Sequence, residues 1–210
     1  MNTREKILAR IARHKPDSDA LSHHLATHPR GPQPPVPCDL KKHFAERARK
    51  LSSDILETDD PGQIPGLLAG YLTQKSLPAE GVCWPALAHL PWLEAGLDIE
   101  VRPAKDRDMV GITGAFCAIA ETGTLLLLGG ELTPASTSLL PETHVAIVHP
   151  DRIVATMEDA WELLRREFST PPRTVNFISG PSRTADIEQT VTLGAHGPYR
   201  VLVILVQSAI

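Results

Sequence analysis

Cysteine is scarce in this sequence, and its copies do not have the spacing of a metal or disulfide site. The 210 residues include three cysteines, Cys38, Cys83 and Cys117, and no two of them form a Cys-x-x-Cys pair. An odd number of widely separated cysteines argues against a disulfide scaffold and against a cysteine-ligated zinc or iron–sulfur centre. We therefore expect no metal centre and no bound cofactor in this chain.

The sequence also has few aromatic residues, no excess of positive charge and no long apolar run. Aromatic residues make up 4% of the chain and the net charge is −4, so the stacking residues and basic surface of a nucleic-acid-binding protein are not expected. No apolar run approaches the roughly 20 residues that cross a bilayer. The first residues, MNTREKILARIARHKP, alternate charged residues with Ile and Leu, which is typical of an amphipathic helix and not of a secretory signal. These features predict a cytoplasmic protein that binds neither nucleic acid nor membrane.

Residues 1–60 are expected to form a helical arm that precedes the main domain. A first helix is predicted over 3–15, where Asn2 and Glu5 have the spacing of a capping box. The segment 28–37, HPRGPQPPVP, contains five prolines and predicts an extended linker. A second amphipathic helix is predicted over 39–57, because its apolar residues recur at spacings of three and four.

Residues 61–210 show the pattern of an α/β domain. Helices are predicted over 62–76 and 157–168, and between and after them lie short runs rich in Val, Ile, Leu and Ala. Several of these runs are continuously apolar, which is typical of strands buried on both faces. The predicted strands are 81–84, 97–102, 115–120, 124–128, 144–149, 175–179 and 200–206. The pattern favours a three-layer α/β fold with a mostly parallel sheet.

Two segments have residues suited to chemistry at strand ends, where open α/β sheets usually bind ligands. In the first, two apolar runs are joined by a tight connection, residues 121–124, with the sequence Glu121-Thr122-Gly123-Thr124. Gly123 permits a positive φ angle, and backbone N–H groups with two hydroxyls can bind an anion. Glu121 is a candidate base or nucleophile. The alternative is a plain hairpin turn with a solvated acid.

The second segment, residues 179–184, follows a predicted strand and is expected to begin a helix near Ser182. A helix N-terminus after a glycine favours an anion, and a guanidinium matches a carboxylate or phosphate. Ordinary capping and a surface arginine are the alternative. The candidate ligand-binding residues here are Ser179, Gly180, Ser182, Arg183 and Thr184. His196 is either a further site residue or a structural one, and we expect both segments to face one anion-binding cleft.

Five stretches of the sequence resemble one protein family. They are IAETGTL at 119–125, SLLPETHVAIV at 138–148, DRIV at 151–154, NFISGPSRTADIE at 176–188 and LGAHGP at 193–198. Together they resemble the lactate-utilization protein C family, whose members carry a LUD domain, over roughly residues 60–206. The resemblance implies a fold similar to the ribose-5-phosphate isomerase, glucosamine-6-phosphate deaminase and CoA-transferase superfamily.

The family resemblance also implies a pathway, the oxidation of L-lactate to pyruvate with two further lactate-utilization proteins, one of which carries iron–sulfur clusters. Two functions are compatible with it. In the first, the chain is a non-redox subunit that binds a small anionic ligand or assembles with the iron–sulfur partners. Pairing of its arm between copies would also make it a homo-oligomer. Alternatively, it is a free-standing enzyme for a phosphorylated or CoA-linked small molecule, with Glu121 as the catalytic carboxylate.

Overall fold

The fold was obtained as a computed structural model, which describes residues 2–13, 35–184, 192–194 and 197–207. The chain divides into an N-terminal unit, residues 1–35, and a main unit, residues 36–210. In the N-terminal unit, helix α1 spans Thr3–Arg13. Asn2 and Glu5 form the predicted capping box, since each backbone N–H donates to the other side chain at 2.9 Å. Most of the predicted linker, residues 28–34, lies outside the described residues.

The main unit is built on a six-stranded sheet in which every neighbouring pair of strands is parallel. Its strands, in spatial order, are β1 (Asp54–Thr58), β12 (Arg200–Val206), β7 (Thr143–Val148), β4 (Val110–Gly114), β2 (Glu80–Cys83) and β3 (Asp98–Val101). The central strands β12 and β7 are almost entirely buried, as expected for continuous Val, Leu and Ile runs between two covering layers.

Each face of this sheet packs against a separate layer. On one face lie the helix α3 (Ile64–Gln74) and the segment that follows β2, and both bury apolar side chains against the sheet. On the other face lie the helix α2 (Leu40–Lys50) and a second sheet, which share a core with β12 and β7. The predicted three-layer α/β fold with a mostly parallel sheet is therefore confirmed.

The second sheet has four strands and mixed direction. Its order is β8 (Ile153–Val154), β5 (Cys117–Ile119), β6 (Thr124–Gly129) and β9 (Thr174–Ile178). The strands β5 and β6 form an antiparallel hairpin, and β9 adds to β6 in antiparallel direction. The helix α5 (Met157–Glu167) covers the outer face, while a short helix, α4 (Ser136–Leu139), precedes β7.

The structure divides the chain at residue 35, whereas the expected boundary was at residue 60. The predicted helix over 39–57 ends at Lys50, because Ser52 has a positive φ angle of 69° and the following residues are extended. Residues 54–58 pair with β12 along their whole length, so they belong to the main sheet and not to an arm. The strand β4 was also not predicted, since its two glycines interrupt the apolar pattern. Within the described residues, no helix is long and apolar enough to cross a bilayer.

Candidate functional site

The first predicted segment forms the turn of the β5–β6 hairpin. The Gly123 N–H donates to the Ile119 carbonyl at 2.9 Å, and Gly123 has a φ angle of 70°, which a side chain would disfavour. The Thr122 hydroxyl donates to the Thr124 hydroxyl at 2.8 Å. The hairpin geometry is that of an ordinary tight turn, but its hydroxyls are connected to a neighbouring loop.

That loop is the second predicted segment, residues 179–184, which begins where β9 ends. Because β9 runs antiparallel to β6, the end of one strand lies beside the start of the other. The hydroxyls of Thr124 and Ser179 are 2.7 Å apart and share a hydrogen bond. The structure therefore brings the 121–124 turn and the 179–184 loop together, although they are more than 50 residues apart in the sequence.

The end of helix α2 is a third component, which the sequence did not indicate. A Cβ atom on Gly123 would lie 2.5 Å from the Ala48 nitrogen, and one on Gly180 would lie 2.2 Å from the Leu51 carbonyl oxygen. Both loops thus pack directly on the backbone of this helix end. The Arg183 guanidinium donates to the Ser52 hydroxyl. We name the 121–124 turn, the 179–184 loop and residues 51–52 together the polar corner.

Residues 183–184 are not the beginning of a helix, which corrects the prediction of a helix start near Ser182. They form the strand β10 (Arg183–Thr184), which pairs antiparallel with β11 (Thr192–Leu193). The Ser182 N–H donates to the Pro198 carbonyl at 2.9 Å, so it is not a free donor. Attraction for an anion must therefore come from Arg183, from hydroxyls and from remaining backbone N–H groups, and not from a helix dipole at these residues.

The polar corner lies at the amino ends of the parallel strands. Ser52 lies two residues before the start of β1, and Pro198, the partner of Ser182, lies two residues before the start of β12. Open α/β sheets usually bind ligands at the opposite edge, beyond the carboxyl ends of the strands. The strands that carry the corner into position belong to the second sheet, so the general rule for the parallel sheet does not apply to them.

The candidate residues differ in how accessible they are. Thr122, Ser179 and Arg183 are exposed, whereas Glu121, Gly180 and Ser182 are partly buried and Thr124 is 2% exposed. The Glu121 N–H donates to the Ala155 carbonyl at 3.0 Å, which fixes its backbone beside the loop after β8. For Thr184 the structure describes the backbone alone, and His196 lies outside the described residues.

A second polar group lies inside the parallel sheet. His144 on β7 is completely buried, and its Nε2 atom is 2.9 Å from the Thr113 hydroxyl on the neighbouring strand β4. Burial lowers the pKa of His144 to about 3, so the imidazole is neutral at ordinary pH. Burial also raises the pKa of Cys83 to about 11 and that of Cys117 to about 12, so neither is a reactive thiolate.

The described residues do not form a metal-ion site. In these parts of the chain, no three His, Cys, Asp or Glu side chains are grouped so that they could hold a metal ion. The described side chains of the polar corner supply hydroxyls, one guanidinium and one carboxylate.

Comparison with protein families gives a match over most of the main unit. A family model described as LUD domain matches residues 86–206, a stretch that includes both loops of the polar corner. The chain is similar to lactate utilization protein C from Bacillus licheniformis, with 33% identity over 196 residues that cover 80% of this chain and 77% of the relative.

Two further matches agree with this one. Lactate utilization protein C from Bacillus subtilis is 41% identical over 100 residues, and the matched segment spans 42% of that relative, less than half its length. Among solved structures, a DUF162 family protein from Deinococcus radiodurans superimposes with a TM-score of 0.60 at 26% identity, covering 82% of this chain and 99% of that protein.

Proposed function

This chain belongs to the LUD domain family and, within it, to the lactate-utilization protein C family, and from this we propose that it is a non-redox subunit of a system that oxidises L-lactate to pyruvate. Its task in that system is to bind a small anionic ligand at the polar corner. The names of the relatives support the pathway, and the polar corner supports the ligand class.

One observation carries the ligand proposal, the 2.7 Å hydrogen bond between Thr124 and Ser179. This bond joins two loops that both contain hydroxyls and glycine. The exposed residue Ser179 lies on the same short loop as Arg183. Hydroxyl and guanidinium donors in one corner are suited to a carboxylate or phosphate, because hydrogen bonds to a charged group contribute about 1.5–3 kcal/mol each.

The proposal includes protein partners. As a subunit without iron–sulfur motifs, the chain passes no electrons itself and assembles with two other lactate-utilization proteins, one of which carries iron–sulfur clusters. The proposal also includes self-association of the chain. Co-purification of the three proteins from cells that express them together is the direct test, and recovery of this chain alone under gentle conditions would contradict the assembly.

The ligand proposal is tested by thermal unfolding in the presence of candidate ligands. L-lactate, pyruvate, a sugar phosphate and CoA are compared, and a ligand at about 100 times its dissociation constant stabilises the folded chain by roughly 2.7 kcal/mol. The matched control is Arg183→Ala, which removes a donor from the polar corner. Stabilisation by L-lactate or pyruvate that is lost in this variant supports the proposal, and the absence of stabilisation by any of the four overturns it.

The position of Glu121 favours a second candidate function, that of an enzyme for a phosphorylated or CoA-linked small molecule. Glu121 is on the same turn as Thr122 and is a partly buried residue, as a catalytic acid or base often is. The variant Glu121→Gln separates the two functions. Unchanged L-lactate consumption by cells carrying the variant supports the binding subunit, and complete loss of consumption with retained ligand binding supports the enzyme.

A further inference from the structure

Thr124 is at the centre of a chain of three hydroxyls. It accepts a hydrogen bond from Thr122 at 2.8 Å, and it lies 2.7 Å from the Ser179 oxygen. With 2% of its surface exposed, Thr124 is too deeply buried to contact a ligand itself, whereas Thr122 and Ser179 are exposed. Any effect of Thr124 on a ligand must therefore pass through its neighbours.

The burial of Thr124 determines which way the protons point. A buried hydroxyl proton needs an acceptor, and the Ser179 oxygen is the partner that the described residues provide. Either oxygen can be the donor in the Thr124–Ser179 bond. Because the described residues offer the buried Thr124 proton no other acceptor, we assign the donation to Thr124. Among the described residues the Ser179 proton then has no acceptor, so Ser179 is left as a donor towards a ligand.

Arg183 has a comparable arrangement on the same loop. One of its guanidinium N–H groups donates to Ser52, and within the described residues the other N–H groups of this planar group have no hydrogen-bond partner. Ser52 is held in the left-handed region, with φ at 69°, an uncommon conformation for a residue with a side chain. Both surface donors of the loop are thus oriented by a neighbour, Ser179 by Thr124 and Arg183 by Ser52.

We infer that Thr124 is a positioning residue of the anion site, which aligns the Ser179 hydroxyl as a hydrogen-bond donor to an anionic oxygen of the ligand. The inference rests on the proposed function, since it concerns the same site. It also names the ligand chemistry more narrowly, because the Arg183 guanidinium and the Ser179 donor form stronger hydrogen bonds to a charged carboxylate or phosphate than to a neutral amide.

The test uses the full chain and isothermal titration with L-lactate, pyruvate and inorganic phosphate, with L-lactamide as the neutral counterpart of L-lactate. Thr124→Val removes the hydroxyl and keeps the shape, and it is expected to weaken binding of the preferred anion about tenfold. Thr124→Ser restores the hydroxyl and is expected to bind within about threefold of the wild type. L-lactamide is expected to bind at least about tenfold more weakly than L-lactate if the carboxylate is the preferred anion.

A double-mutant cycle distinguishes positioning from a merely structural role. If Thr124 acts through Ser179, then Thr124→Val has no further effect on affinity in a Ser179→Ala background. An additional tenfold loss in that background overturns the inference, and so does unchanged affinity in Thr124→Val alone. If the wild type binds none of the three anions, the proposed function itself fails, and this inference falls with it. Equal affinity for L-lactate and L-lactamide overturns the anion specificity.

Discussion

The parallel sheet and the polar corner are held together by different interactions. In the sheet, the strands β12 and β7 bury continuous apolar side chains between two layers, so contacts are many and not directional. In the polar corner, hydroxyls and one guanidinium meet at a helix end through a few hydrogen bonds. Substitutions in the first region are therefore expected to affect stability, and substitutions of exposed side chains in the second are expected to affect ligand binding.

The largest effect on stability is expected from Leu202→Ala in the parallel sheet. Leu202 is completely buried in β12, and its truncation leaves a cavity that lowers the free energy of unfolding by about 2–5 kcal/mol. Leu93→Ala is the control, since Leu93 is 80% exposed and its removal is expected to change stability by less than about 0.5 kcal/mol. Urea unfolding measures both, and equal effects would contradict the importance of burial in this sheet.

A backbone substitution in the polar corner, unlike the substitution of its exposed side chains, is expected to lower the stability of the folded chain. Gly180→Ala would place a Cβ atom 2.2 Å from the Leu51 carbonyl oxygen at a φ angle of 78°, so the loop must move away from α2. We expect a loss of about 3 kcal/mol from the strained conformation and the overpacking together.

Gly70→Ala is the control for that substitution, because a Cβ atom there meets no atom within 4 Å and the residue lies inside helix α3. It is expected to stabilise the chain by about 0.5–1 kcal/mol. Thermal unfolding of both variants tests the pair. A Gly180→Ala variant as stable as the wild type would show that the loop does not pack on α2 as closely as described.

A pH-dependent effect is expected from the buried histidine of the parallel sheet. The pKa of His144 is about 3 in the folded chain and about 6.5 when unfolded, so the unfolded state binds more protons between these values. Above about pH 6.5, His144 therefore does not reduce the free energy of unfolding. As the pH falls from there towards 3, protonation of the unfolded state lowers that free energy progressively. Between pH 7 and pH 5 the wild type should lose about 2 kcal/mol more than His144→Gln. Urea unfolding at both pH values measures this difference, and parallel losses in the two proteins would contradict it.

The smallest effect on stability is expected from Arg183→Ala. Arg183 is exposed, and its hydrogen bond to Ser52 is on the surface, so the free energy of unfolding should change by less than about 0.5 kcal/mol. Anion affinity should fall by a factor on the order of 10 to 100, because a charge-assisted donor is lost. Titration and urea unfolding of the same preparation measure both quantities. A large loss of stability with unchanged affinity would contradict the expectation that exposed side chains of the polar corner affect ligand binding and not stability.

Much of the α/β architecture could be predicted because it depends on local patterns. The continuous apolar runs that became β7 and β12 identify buried strands, and the capping spacing of Thr156 and Asp159 identifies the start of α5. The strands β1 and β4 were missed for a related reason. Residues 54–58 follow a helical pattern without an obvious break, and glycines dilute the apolar signal of β4.

The sequence alone therefore determined the fold class, the family and the residue types of the candidate site, because periodicity, capping and motif order are encoded along the chain. It could not determine that Thr124 is buried and Ser179 exposed, that Ser52 contacts Arg183, or that residues 183–184 are strand. Those properties depend on which segments meet in space. The antiparallel pairing of β6 with β9 and the packing of Gly123 and Gly180 on α2 bring them together, and neither contact is visible in the spacing of residues.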